Sequence, residues 1–258
     1  MCYDDKDRPP APAGQAGSTQ AEEIELEGKD GNRFLAYVAR SGNPTGAQVL
    51  IYPDVRGLHG FYKALADRFA EQGIDALAID YFGRTAGLTA RDDSFEYMPH
   101  VQQLQLTGIY SDVAAALDYL QSGANADRPT FIVGFCMGGS LTLLTGIEGL
   151  KLAGLIAFYS GFSRNFGGER TALEAAHDIR YPVLGLFGGA DQGIPVEMVR
   201  QLDEELDKAG VEHNIVIYEG APHSFFDRKA TDFAEASADA WKRILDFISA
   251  QAGTGATA

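Results

Sequence analysis

A mostly parallel α/β sheet with helices on both faces is predicted for residues 21–251 by three features of the sequence. Short β-rich runs alternate with helical patterns across the whole span. The central runs are continuously apolar, as strands covered on both faces are. The stretches between them are long enough for the crossover helices that parallel strands require, which are right-handed almost without exception.

The elements follow in order. "EIELEG" (23–28) and "RFLAYVAR" (33–40) alternate apolar and polar residues, as an antiparallel opening hairpin does. "AQVLIYPD" (47–54) is an apolar run ending in a turn. "FYKALADRFAEQG" (61–73) sets Phe61, Leu65 and Phe69 on one stripe and stops at Gly73, which predicts a helix. "IDALAIDYFG" (74–83) is the next strand, and 101–123 reads as one long helix with Gly108 inside it. "PTFIVGFC" (129–136) is a strand and "MGGSLTLLTGIEG" (137–149) its helix. Strands are expected at 152–161, 181–191 and, within "EHNIVIYEGAPHSF", 212–225, a helix opening at Pro195, and a last helix over 232–251. Residues 1–20 and 252–258, rich in small residues, are expected to be flexible tails flanking a single domain.

Composition narrows the function. With 36 acidic against 21 basic residues the net charge is -15, a field that repels phosphate backbones and anionic membranes. Nucleic acid and membrane partners are therefore not expected. Cys2 and Cys136 are the two cysteines, read as reduced thiols of a cytoplasmic protein.

The chemistry concentrates at strand ends, which gather along one edge of such a sheet. Gly134-Phe135-Cys136-Met137-Gly138 sits between a strand and a helix. A turn of this G-x-nucleophile-x-G type forces its central residue into a strained backbone and lifts the side chain out of the sheet. The helix dipole and open N–H groups there favour a thiolate. A thiol nucleophile needs a base and the base an orienting group, and sheets of this type supply them in the order nucleophile, acid, histidine. Asp191 follows one late strand and His223 the last. Backbone N–H groups of Met137 and Val55 are the candidate oxyanion donors, and Asp54 is a candidate acid for modulating the thiol. Each residue also has a plainer reading: Cys136 as a buried small residue, Asp191 as a helix cap, His223 as a surface turn histidine, Asp54 as a turn cap. Two broader alternatives stand beside the enzyme: an idle binding or scaffold protein that kept the fold, and redox chemistry at an exposed thiol.

Together "PDVRGLH", "GFCMGG", "GGADQGIP" and "GAPHSFF" resemble the dienelactone hydrolase family, the cysteine-using branch of the α/β-hydrolases. The resemblance implies an α/β-hydrolase fold and a hydrolase of small esters or lactones, with no metal and no organic cofactor. By it Cys136 attacks the carbonyl, His223 manages the proton and water, Asp191 orients His223, and an acyl-enzyme forms. The family pattern differs at two places. Asp54 stands where a glutamate is usual, and Asp227 stands where an arginine grips the substrate carboxylate, with Arg228 one step on. The aspartate points to neutral esters. Arg56, Arg84, Arg91 and Arg228 are the candidate replacement cations, and Phe82, Phe95 and Tyr97 candidate pocket walls.

Overall fold

The computed structural model describes residues 6–254. The strands are β1 (Thr19–Glu27), β2 (Arg33–Ser41), β3 (Gln48–Tyr52), β4 (Asp75–Ile79), β5 (Thr130–Phe135), β6 (Gly154–Phe158), β7 (Val183–Gly188) and β8 (His213–Tyr218). They form one sheet in the order β1-β2-β4-β3-β5-β6-β7-β8. β1 and β2 are the expected antiparallel hairpin, with Ile24 opposite Ala36. β2 also runs antiparallel to β4, while every pairing from β4 across to β8 is parallel. β3 to β7 are buried along their whole length, as their unbroken apolar runs predict. β1 forms one edge and carries Glu22, Glu23, Glu25 and Glu27, charges that discourage pairing with a further strand.

The helices are α1 (Gly60–Glu71), α2 (Gly83–Ala86), α3 (Tyr97–Val101), α4 (Leu106–Leu120), α5 (Met137–Thr145), α6 (Val196–Ala209) and α7 (Ala234–Thr254). Two layers are visible from β5 outward. Phe131 meets Phe247 of α7, whereas a side chain on Gly134, three residues along and so on the other face, would meet α5. α7 joins α1 through Trp241 and Phe69, and α5 joins α4 through the Tyr110 hydroxyl and the Leu144 carbonyl. No helix among the described residues is long and apolar enough to cross a membrane.

Three expectations need correction. The helix expected over 101–123 is split: Gln105 is extended (φ -120°, ψ 130°), and α4 begins only at Leu106. The cause is tertiary, because the Leu106 N–H donates to the Phe166 carbonyl at 2.7 Å. The amino-terminal segment is held rather than loose over the residues described. Trp241 Nε1 donates to the Pro10 carbonyl at 2.8 Å, the Gly17 N–H to the Glu71 carbonyl at 2.9 Å, and β1 already includes Thr19 and Gln20. A buried indole N–H needs such an acceptor. At the other end α7 continues to Thr254, past the boundary expected at 251. Cys2 and residues 255–258 lie outside the described residues.

Trp241 is buried against Phe69 and Phe226, so Trp241→Phe removes both packing volume and the bond to Pro10. It is expected to destabilise the fold by about 1–3 kcal/mol. Limited proteolysis near residues 8–18 should speed up well below the unfolding transition; unchanged cleavage there would show that the indole does not hold the segment.

Candidate active site

The link between β5 and α5 is a turn in which Cys136 adopts φ 55° and ψ -114°. Positive φ in a residue with a Cβ costs on the order of 1–3 kcal/mol and persists only where the surroundings enforce it. They do so through glycines. A Cβ on Gly138 would collide with the Tyr52 and Pro53 carbonyl oxygens, and one on Gly134 with the Gly138 carbonyl and Thr142 Oγ1. A Cβ on Gly139 would lie 2.7 Å from the Phe158 carbonyl oxygen and 2.8 Å from Ser160 Oγ. α5 is thus wedged against the ends of β3 and β6, and the Cys136 N–H is tied to the Phe158 carbonyl at 3.0 Å. The strain is built from contacts on three sides.

Cys136 opens into a cavity of about 660 Å³ whose walls also include Val55, Met137, Asp191 and His223. The loops after β3, β5, β7 and β8 therefore converge as the topology requires. His223 Nδ1 and Asp191 Oδ2 are 2.6 Å apart. The other carboxylate oxygen accepts from the Gly193 N–H at 2.8 Å and the Ile194 N–H at 3.1 Å. Asp191 is thus fixed from behind, its side chain 2 % exposed against 32 % for His223. A carboxylate can only accept here, so Nδ1 carries the proton, and in the neutral ring Nε2 is the nitrogen with the lone pair. The two loops are stitched together: the Ala190 N–H donates to the Ala221 carbonyl at 2.9 Å and the Gly189 N–H to the Tyr218 carbonyl at 2.8 Å.

Met137 is the first residue of α5, so its N–H lies outside the intrahelical ladder. Val55 faces the same cavity from the loop after β3. That loop is shaped by Asp54, wholly buried, whose Oδ1 accepts from the Arg56 N–H at 2.9 Å. The turn-cap reading of Asp54 therefore holds. The residue before it, Pro53, lies against Gly138 of the elbow. Tyr81 donates to the Pro53 carbonyl at 2.7 Å, and its hydroxyl is pushed well above its usual pKa by burial first, then by charges that include Asp54 and Cys136.

Of the candidate substrate contacts, Arg228 reaches the cavity wall and the others do not. Arg84 bridges Asp30 and Asp112 at 2.5 and 2.7 Å. Arg91 is buried against Asp80 at 2.9 Å and lies over the Phe95 ring. Arg56 pairs with Asp93 at 2.6 Å. None of these three lines the cavity, nor do Phe82, Phe95 or Tyr97. Their guanidinium groups neutralise acids brought close by folding, partners that no local spacing reveals. Asp227 is turned away too: it is buried and accepts from the Tyr159 hydroxyl at 2.9 Å. The cations on the cavity wall are Arg164, Arg228 and Lys229. Arg164 was missed in the sequence, although its loop follows the carboxyl end of β6, the position that marked the other site residues. His59 and His213 take structural roles. His59 Nδ1 accepts from the Phe61 N–H at the start of α1, and His213 Nε2 lies 3.2 Å from Asp203. Among the described residues no cluster of three or more His, Cys, Asp or Glu is placed to hold a metal ion.

Gly138→Ala tests the wedge. The new methyl group should cost about 1–3 kcal/mol and, by moving the sulfur relative to the imidazole, about 10²-fold in turnover. Gly60, which has open space around it, provides the control: Gly60→Ala should leave activity intact and stability equal or slightly raised.

This geometry has close relatives. The model of the dienelactone hydrolase family matches residues 34–252. A relative from Methylorubrum extorquens, named "Putative carboxymethylenebutenolidase", is 30% identical over 248 residues, covering 92% of this chain and 83% of its own. The carboxymethylenebutenolidase of Rhodococcus opacus is 29% identical over 259 residues and covers 96% of each chain. A crystal structure from Klebsiella pneumoniae, described as "Putative Dienelactone Hydrolase", is similar with a TM-score of 0.78 at 25% identity, over 90% of this chain and 99% of that one.

Proposed function

Given that the chain belongs to the dienelactone hydrolase family, we propose that it hydrolyses a small carboxylic ester or lactone through Cys136, His223 and Asp191. The observation that carries this reading is a strained thiol and an aspartate-held imidazole opening into one cavity. In the first half-reaction Cys136 Sγ gives its proton to His223 Nε2 and attacks the carbonyl carbon. Negative charge develops on the carbonyl oxygen, which the N–H groups of Met137 and Val55 receive. As the tetrahedral species collapses, the C–O bond breaks, and His223 returns the proton to the departing alkoxide. In a lactone that alkoxide stays tethered to the acyl group. The second half-reaction repeats the path with water: His223 takes its proton, the hydroxide adds to the thioester, and the thiol leaves. Asp191 holds the imidazole in the required tautomer and offsets its positive charge. Asp54, in the loop after β3, exchanges a proton with the resting thiol.

Arg164 and Arg228 on the cavity wall favour a substrate with an anionic group, while Lys229 beside them pairs with Asp232 at 3.2 Å. Asp227 does not face such a group, since its carboxylate is buried away from the cavity and accepts from Tyr159.

Two outcomes are expected. Cys136→Ala should lower turnover of p-nitrophenyl acetate by a factor of about 10⁴ or more, with the melting temperature retained; normal turnover would remove the thiol from the chemistry. Arg164→Ala should raise KM for a carboxylated ester about tenfold, the loss of one charge-assisted contact, while leaving a neutral ester of the same size unaffected. Equal effects on both esters would contradict recognition of an anion.

A further inference from the structure

His223 is held at one end by Asp191, and the structure holds it on a second side by a separate chain of contacts. Tyr159, the residue after β6, packs its ring against the imidazole at a centroid distance of 4.8 Å and an angle of 55°. Its backbone has φ 33°, an unfavourable conformation for a bulky residue, and its N–H donates to the Leu186 carbonyl at 2.8 Å. Its hydroxyl donates to Asp227 Oδ2 at 2.9 Å. Asp227 in turn is fixed to the histidine loop: its own N–H donates to the Ser224 carbonyl at 3.2 Å, and its Oδ1 accepts from the Arg228 N–H. Ser224, next to His223, has φ 62°. The contacts close a ring from His223 through the 224–227 turn to Asp227, then to Tyr159 and back to the imidazole. All members but His223 are buried.

We propose that Tyr159 and Asp227 are positioning residues for His223, an inference that rests on the reading of His223 as the base. A single hydrogen bond at Nδ1 is broad in angle, so Asp191 alone leaves the ring free to tilt and Nε2 to swing. A phenol wall against one face removes that freedom, and it can do so only if its own far end is anchored. Asp227 is the anchor. Its charge is directed into the fold, and its work is done through Tyr159 rather than on substrate.

The test is a double-mutant cycle on p-nitrophenyl acetate, with urea midpoints measured alongside. Tyr159→Phe keeps the wall and removes the anchor bond; Asp227→Ala removes the anchor; the double variant removes both partners of that bond, so that neither is left buried without the other. Each single variant should lose about tenfold in kcat with KM within about twofold, and the double variant should lose no more than the singles. The clamp is refuted if kcat in Tyr159→Phe stays within twofold of the parent, if the losses appear in KM alone, or if they multiply in the double variant. A parent protein that turns over no ester would end the base role of His223 and the clamp with it. An active parent with unmoved variants would end the clamp alone.

Discussion

The site depends on how closely α5 approaches the carboxyl ends of β3 and β6. Gly138 lies against the carbonyls of Tyr52 and Pro53, and Gly139 against that of Phe158. No side chain fits between them, and this contact holds Cys136 at a positive φ. It also sets the neighbours. The loop after β3 brings Val55 to the cavity, and the end of β6 supplies both the carbonyl that receives the Cys136 N–H and, one residue on, Tyr159.

An aromatic cluster carries the same geometry across to the imidazole. Phe135, directly before the cysteine, stacks on Phe158 at 4.6 Å, and Phe158 meets Phe226 at 4.7 Å. Phe226 lies three residues after His223 and reaches Trp241 of α7 at 5.6 Å. The thiol and the imidazole belong to loops far apart in the chain, yet both begin or end on this one block. Buried aromatic side chains of this size dominate core energetics, so the relative placement of the two groups is as rigid as the core.

How much of this could be read beforehand follows from the range of each interaction. The central strands announced themselves because burial on both faces leaves unbroken apolar runs, and Asp191 because it follows one of them; His223 was marked by the half-buried β-rich run of β8 before it. The elbow was legible in its glycines. The misplaced arginines share a different cause: Arg84 finds Asp30 and Arg91 finds Asp80 only after folding. The break before Leu106 likewise depends on a carbonyl sixty residues away, that of Phe166. Asp227 was legible as a departure from the family pattern but not as a partner of Tyr159, since the hydroxyl comes from the residue after β6 and the carboxylate from the loop after β8.

In the proposed reaction the sulfur at the elbow forms a covalent bond to the acyl group, and the aspartate-held imidazole discharges it. Rapid acid quench of the protein with p-nitrophenyl acetate, followed by peptide mass spectrometry, addresses it directly. One acetyl group should appear on the peptide containing Cys136 during turnover and disappear once the ester is consumed, and it should persist on His223→Ala protein whose Cys136 has been acetylated chemically. Hydrolysis that proceeds with Cys136 never acylated, or with the acetyl group on another side chain, would contradict it.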